Sequence, residues 1–360
     1  MADSSLQQHD DRAGPPLHWN EAAREQTGWL FSSWLWTATW WKHFGGNGQA
    51  RLIAIGAADG CPADTIALHT HVVRINRLLQ IRRMELIGNH WQMDRSCPSE
   101  FVKDPVGVDT NRAALVRSLQ AAFARDDWDE FVACRIQRGS AFAEAVMEAA
   151  QELRMSVFVE RENPSFFIDL TESWSSYTAN LSGSVRRKLL HERKKLGQSI
   201  TVQTVTSVEA DEALSELEGL VTNRFGETAA TASINRFFRD LAVSAGRSGQ
   251  LDLTLLRVDG RTISIMYCLR YGKDVFFLRL GFQEVTDSRV SPGTLHLGYV
   301  LQKYLGSEGR FWLLSGSGKT THYKNSLAKP VALSTIRVIR RPHLALLMTV
   351  KKAMRRSRLR

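Results

Sequence analysis

Residues 275–309 read VFFLRLGFQEVTDSRVSPGTLHLGYVLQKYLGSEG. An apolar run of strand character passes through a polar loop into Ser291-Pro292-Gly293-Thr294, after which apolar residues recur at helical spacing. A helix that starts at the edge of a strand gathers free backbone N–H groups and the positive end of the helix dipole at one point. In α/β proteins such points hold phosphates. The residue types suit that role, since Ser291 can cap, Pro292 fits the first helical turn, and Gly293 lets a ligand approach the backbone. The same residues also describe an ordinary capped helix, because capping rules place them at many helix starts.

The flanking sequence gives this turn a context. SITVQTV (199–205) alternates as a strand, SVEADEALSELEGLVTNRF (207–225) is an amphipathic helix opened by acidic residues, and SINRFFRDLAVSAG (233–246) is a second helix ended by Gly246. Three strand-like runs follow, LDLTLLRV, TISIMYCLRY and DVFFLRLGF, joined by Asp259-Gly260 and Tyr271-Gly272-Lys273, which suit hairpins. After the helix at Ser291 come FWLL, a Gly/Ser/Thr loop with HYKN, and VALSTIRVIR as a closing strand. A looser version of this order precedes it: an aromatic helix over 28–44, strands up to MELIG, a helix near 111–125, EFVACRI, the helix AFAEAVMEAAQEL, and MSVFVE. Between the two lies the basic helical segment VRRKLLHERKKLG (185–197), with Val185, Leu189 and Leu196 as its apolar seam and Arg186 and Arg193 among its outward charges.

At 360 residues the chain is comfortable for two domains. No apolar run approaches a membrane span, and MADSSLQQHDDRAGPP lacks the pattern of a signal peptide and reads as a disordered leader. Cys61, Cys97, Cys134 and Cys268 are scattered without CxxC spacing, which points to reduced thiols in a cytoplasm, with no disulfide framework and no metal. The net charge of +10 is concentrated at the end of the chain. Thirteen Lys or Arg follow Glu308, the last acidic residue, leaving 34 basic against 37 acidic groups before it. A near-neutral body is not that of a dedicated nucleic-acid binder. The end, HLALLMTVKKAMRRSRLR, is either a basic amphipathic helix able to touch anionic lipid or RNA, or a terminal helix docked by Leu344, Leu347 and Met348. Six of the ten tryptophans fall within residues 19–41; Trp29, Trp36, Trp40 and Phe44 have the spacing of a buried helix face, while Trp40–Trp41 could stack on sugar rings. Gly316-Ser-Gly318-Lys319-Thr320 contains Gly-Lys-Thr but lacks the four-residue spacing between glycines of a P-loop.

The element order and the strand–turn–helix at 275–309 resemble the GNAT acyltransferase fold, and more closely its CelD-like branch. That branch is related to the Fem peptidyltransferases, is associated with bacterial polysaccharide synthesis, and duplicates the GNAT unit. Four segments carry the resemblance: FSSWLWTATWWKHFG, LSGSVRRKLLHERKKLG, LRLGFQEVTDSRVSPGT and GRFWLLSGSGKTTHYKNSLA, together spanning about residues 28–330. Two departures bear on the acceptor end of the site: Trp312 stands where the family usually has Asp, and the SGSGKTTHYK loop is longer than the family's. The implied fold is α/β, two tandem GNAT-like units, each a mixed, mostly antiparallel sheet flanked by helices. The boundaries expected are a leader at 1–27, units at 28–165 and 166–341, and a basic tail helix at 342–360.

The resemblance also implies a reaction, acyl transfer from acetyl-CoA or another acyl-CoA to an amine acceptor, with no metal. The donor is expected against residues 276–294, on Leu278, Arg279 and Leu280 of the strand and on the helix start at Ser291, Gly293 and Thr294. Tyr323 is the matching proton donor for the departing thiolate, and Lys324 a point charge for an acceptor phosphate or carboxylate. Glu284, Asp287 and Glu227 are candidate bases, with Asp287 preferred. The expected partners are a small-molecule or saccharide amine and, through the tail, the inner membrane surface. Two alternatives stay open: Fem-like transfer from an aminoacyl-tRNA, and a non-catalytic accessory subunit of a membrane polysaccharide synthase.

Overall fold

In the computed structural model the described residues are 29–46, 48–55, 64–75, 79–89, 99–103, 111–191, 199–206, 209–226, 229–284, 290–315, 323–347 and 349. The leader expected at 1–27, and with it Glu227, Asp287, Arg193 and Leu196, lies outside them. After a 3-10 turn at Leu30–Ser32 come α1 (Trp34–Phe44), β1 (Gln49–Ile55), β2 (Asp64–Arg74), β3 (Gln80–Leu86), α2 (Arg112–Ala124), β4 (Glu130–Gln137), α3 (Ala141–Glu152) and β5 (Ser156–Arg161). The chain continues through β6 (Ser165–Asp169), α4 (Trp174–Ala179), α5 (Gly183–Arg186) with a π turn at Arg187–His191, β7 (Ile200–Thr204), α6 (Ala210–Phe225) and α7 (Ala229–Arg247). Last are β8 (Leu251–Val258), β9 (Arg261–Tyr271), β10 (Asp274–Phe282), α8 (Pro292–Tyr304), β11 (Arg310–Trp312), β12 (Lys329–Val331) and β13 (Leu333–Ile339).

These elements form two compact units. One holds the described residues up to Glu162 together with those from Ala332 onward; the other is built on Asn163–Val331. The first unit's sheet has the order β1-β2-β3-β4-β13-β5, antiparallel except where β3 meets β4. The closing strand VALSTIRVIR therefore does not complete the second unit, where its place in the sequence put it. It inserts between β4 and β5, pairing Ile336 with Ala133 on one side and with Val159 on the other. The boundaries at 165/166 and 341 shift accordingly, to 162/163 and 331/332. Local alternation announces a strand but carries no information about a partner some two hundred residues away.

The tryptophan-rich segment is core in the first unit: Trp29, Trp36 and Trp40 are fully buried. The Trp36 indole N–H donates to Ser99 Oγ at 3.1 Å, so the ring brings its polar edge inside without an unpaired donor. At the other end residues 342–347 are helical and Leu344 and Ala345 pack with Ile81 and Ile339. Leu347, expected to dock beside Leu344, is exposed, as is Leu346; Met348 and most of the basic tail lie outside the described residues. No described helix is long and apolar enough to cross a membrane.

The second unit's sheet runs β12-β6-β11-β10-β9-β8-β7, antiparallel except for the pair β10–β11. Both expected hairpins are present. Asp259 and Gly260 take positive φ (49° and 76°), which a two-residue primed turn demands and which Asp and Gly tolerate best. β10 alternates its partners across the sheet. A Cβ on Gly281 would sit 2.8 Å from Leu217 and Leu220 of α6, whereas Leu280 and Phe282 face α8. Helices α6 and α8 therefore cover opposite faces of the strand. The buried cluster under α8 includes Met266, Val275, Leu297, Leu301 and Phe311, joined by Leu189 of the π turn. That turn lies so close to α8 that a Cβ on Gly298 would meet the Leu189 carbonyl oxygen at 2.3 Å.

Candidate active site

Five helices begin with a side chain that accepts a hydrogen bond from a first-turn N–H: Ser33, Asn111, Ser140, Ser173 and Ser182. Helix α8 has no such cap. Ser291 occupies its N-cap position, but Ser291 Oγ lies 2.9 Å from Thr294 Oγ1 and bonds hydroxyl to hydroxyl instead of reaching the backbone. With Pro292 lacking an N–H, the start of α8 keeps the donors of Gly293 and Thr294 without capping by the Ser291 side chain. This is the arrangement that favours an anion over an ordinary cap.

Packing gives Gly293 a reason of its own. A Cβ there would lie 2.7 Å from Leu280 Cδ2 and 3.1 Å from Phe282 Cδ1. The missing side chain lets the helix start seat directly on β10, which brings the N–H groups beside the strand.

The strand opens at the same level. β10 pairs with β11 only through Val275 with Phe311 and Phe276 with Trp312. Beyond Phe276, β10 keeps β9 on one side and has no partner strand on the other among the described residues. A bulge at Leu278, between the pairs Phe277–Cys268 and Arg279–Tyr267, bends the strand at the start of this free edge. Leu278 and Leu280 thus lie on the open stretch. Arg279 does not point there: its guanidinium donates to Asn235 Oδ1 at 3.0 Å and lies 4.8 Å from the Phe238 ring centroid, on the face opposite α8. Only its backbone belongs to the edge.

Tyr323 comes to α8. Its phenol is pushed above its ordinary range by burial, an effect partly offset by a hydrogen bond with Thr294. Ser291, Thr294 and Tyr323 therefore form a run of hydroxyls over the helix start. Tyr177 of α4, which no sequence pattern singled out, stands behind it. Its phenol donates to the Leu327 carbonyl at 3.0 Å and is likewise held protonated by burial, with Tyr323 a further contribution.

Lys324 is buried, and its ammonium donates to the carbonyls of Leu313 (2.6 Å), Leu314 (3.0 Å) and Ser315 (2.8 Å). An ammonium has three donors, so these contacts occupy all of them. Its place is beneath the chain that leaves β11, not in reach of a substrate as a free charge. Leu314 there has φ of 57°, a conformation that costs an L-residue roughly 1–2 kcal/mol. Of the candidate bases, Glu284 is exposed at the end of β10. In the basic segment Leu189 is buried as the seam requires, while Arg187 and Lys188 are exposed; the backbone is a π turn instead of a plain α-helix.

Residues 183–325, within the second unit, match the family model described as acetyltransferase (GNAT) domain. A search of the curated proteins finds no match. Among solved structures, FemX superposes with a TM-score of 0.62 at 11% identity, covering 92% of this chain and 98% of that one. A conserved protein of unknown function from Bacteroides thetaiotaomicron VPI-5482 superposes with a TM-score of 0.55 at 11% identity, covering 89% and 93%. At that identity the likeness is one of fold. The α/β class expected from sequence holds: two tandem GNAT-like units, each a mixed, mostly antiparallel sheet flanked by helices, with the match to the GNAT-domain model falling in the second.

Proposed function

We propose that the second unit is an N-acyltransferase that takes an acyl-CoA as donor and an amine as acceptor, in the manner of the CelD-like branch that the sequence resembles. The observation that carries this is the uncapped start of α8 beside the free edge of β10. A pyrophosphate would lie on the N–H groups of Gly293 and Thr294, and the pantetheine arm would run along the β10 edge past Leu280 and Leu278 as an added strand does, amide against backbone.

In that pose the thioester carbon sits toward the split between β10 and β11. The neutral amine attacks it, the C–S bond breaks as the C–N bond forms, and the ammonium proton leaves to solvent or to an acidic side chain such as Glu284 or Asp287. Tyr323, protonated at neutral pH, would leave Thr294 and turn toward the split to donate a hydrogen bond to the departing sulfur. A thiolate is less basic than a phenolate, so the phenol stabilises charge without having to give up its proton. Lys324 acts by position, holding residues 313–315 away from β10. The acceptor we assign is a saccharide amine of envelope or polysaccharide metabolism, on the resemblance alone; the basic tail would serve contact with the inner membrane.

Calorimetric titration of the full chain with acetyl-CoA and longer acyl-CoAs tests the donor. Binding that persists with a desulfo analogue and is lost with an acyl-pantetheine, which lacks the pyrophosphate, supports the reading. Binding of charged tRNA with no response to any CoA thioester would transfer the assignment to aminoacyl transfer. A response to neither would favour an accessory role. Tyr323→Phe should lower turnover about a hundredfold while leaving donor affinity within about twofold; unchanged turnover removes Tyr323 from the chemistry.

A further inference from the structure

In the first unit, three side chains converge on one face of the β2–β3 hairpin. His69 and His71 are two apart on β2 and so share a face; Glu85 on β3 is the cross-strand partner of His69. The two imidazoles stack, with ring centroids 4.7 Å apart and planes 10° from parallel, and both turn Nε2 to the same carboxylate oxygen. His69 and Glu85 are buried, while the His71 side chain is 27% exposed.

Two readings of this cluster, a hydrogen-bonded His–Glu–His group and a cation site, differ in the distances they require. His69 Nε2 and His71 Nε2 lie 3.4 and 3.5 Å from Glu85 Oε1. A hydrogen bond between such groups would close to about 2.9 Å, and about 3.2 Å is near its outer limit. Ligands at about 2.0–2.1 Å from a tetrahedral cation are separated by roughly 3.3–3.4 Å, the edge of the tetrahedron. All three donor atoms fall within 4.8 Å of one another; since a metal lies in the plane of each imidazole it binds, loading the site requires the two rings to turn out of their parallel stack. Two ring nitrogens and a carboxylate oxygen that converge in a buried setting call for a proton or a cation between them. Arg83, the nearest cation by sequence, is engaged elsewhere, its Nε donating to Glu130 Oε2 at 2.7 Å.

We infer that His69, His71 and Glu85 form a binding site for a borderline divalent transition cation of the zinc class, with its fourth position open to solvent past His71. Two imidazoles and one carboxylate suit such an ion and not magnesium or calcium, which demand oxygen ligands. His69 Nδ1 has no hydrogen-bond partner among the described residues. The site therefore lacks the outer carboxylate or carbonyl that braces the tightest zinc centres, and its affinity should be correspondingly lower. The expectation of no metal rested on scattered cysteines, a signal blind to a carboxylate supplied by the next strand.

The test uses the untagged full chain, stripped with chelator and titrated with Co2+. The expected result is one equivalent bound, visible d–d bands of a low-symmetry site, displacement by Zn2+ but not by excess Mg2+, and a melting temperature that rises with either transition ion. His71→Ala, at the most exposed of the three positions, should weaken Co2+ binding by roughly tenfold or more while melting like the metal-free parent. His71→Gln and Glu85→Gln provide the same comparison if that variant misfolds. Absence of bands in the parent, or equal binding by the parent and a folded His71 variant, overturns the site and leaves a hydrogen-bonded His–Glu–His cluster.

Discussion

Mild acid should loosen the second unit through one buried residue, His296. It lies on α8 and is fully buried between Thr254 of β8 and Ser264 of β9. Ser264 Oγ donates its only proton to the Gly281 carbonyl, 3.2 Å away, so at 3.0 Å it must accept from His296 Nδ1–H. Nε2 then accepts from the Thr254 hydroxyl at 3.0 Å, and the ring is neutral. Burial pushes its pKa down to about 3, against about 6.5 in the unfolded chain. A depressed histidine pKa means that the unfolded state takes the proton first. Stability is therefore full above about pH 6.5 and is lost as pH falls toward 3. Relative to pH 7, the two values give a loss of about 2 kcal/mol at pH 5 and about 3 kcal/mol at pH 4. Carboxylates add their own acid sensitivity, so the measurement is a difference. Urea unfolding of the parent and of His296→Gln at pH 7 and pH 5, with hydrogen exchange of α8 peptides to report on this unit, isolates the imidazole. The variant should start less stable, and the gap between it and the parent should shrink by about 2 kcal/mol on acidification. A gap that stays constant within about 0.5 kcal/mol would refute the neutral, trapped ring.

Packing gives sharper contrasts between similar substitutions. Gly298→Ala places a methyl against the Leu189 carbonyl, which is backbone and cannot step aside, so it should cost about 3 kcal/mol in thermal or urea unfolding. Gly293→Ala meets chiefly the tip of Leu280, which can rotate, and should cost less than half as much; it should nonetheless weaken CoA binding, because Leu280 then turns into the edge along which the pantetheine arm would lie. Lys324→Met leaves three buried carbonyls short of a donor at about 1 kcal/mol each, and should lower stability by about 3 kcal/mol and turnover by tenfold or more. A Lys324→Met protein with parental stability would show that residues 313–315 do not depend on that ammonium.

What could be read from sequence follows the range of the interactions involved. The hairpin at Asp259-Gly260, the three-strand run and the Ser-Pro-Gly-Thr helix start are set by neighbours a few residues apart, and each stands where its residues indicate. The insertion of β13 between β4 and β5, and the pairing of β6 with β11 and β12, depend on contacts across much of the chain, and no local pattern encodes them. Among the site residues, the type of Gly293 was legible but its reason was not. A glycine that admits a ligand and one that admits Leu280 look alike until the strand is in place. Lys324 misleads in the same way, since its position in a Tyr-Lys motif says nothing of the three carbonyls it meets. Tyr177 and Asp274 carried no signal because their partners, Leu327 and Trp312, are distant in sequence.

Asp274 also accounts for the departure at Trp312. One carboxylate oxygen of Asp274 accepts from the Arg310 backbone N–H and the other from the Trp312 indole N–H, each at 3.0 Å. The carboxylate thus clasps β11 to the start of β10, where the two strands are paired. One residue past Trp312, Lys324 takes up the carbonyls of residues 313–315, and Leu314 turns into positive φ. Two polar devices therefore fix where the strands separate: one holds them together through Trp312, and the next draws β11 away. An Asp at position 312 could not make the first contact, since it would set a second carboxylate against Asp274. Trp312 therefore bears first on where β10 and β11 separate. Trp312→Phe keeps the bulk of the ring and removes the N–H. It should leave the fold within about 1–2 kcal/mol of the parent, while Asp274→Ala frees both contacts and costs at least about 2 kcal/mol. If the two variants prove equally stable, the clasp is not what positions the split.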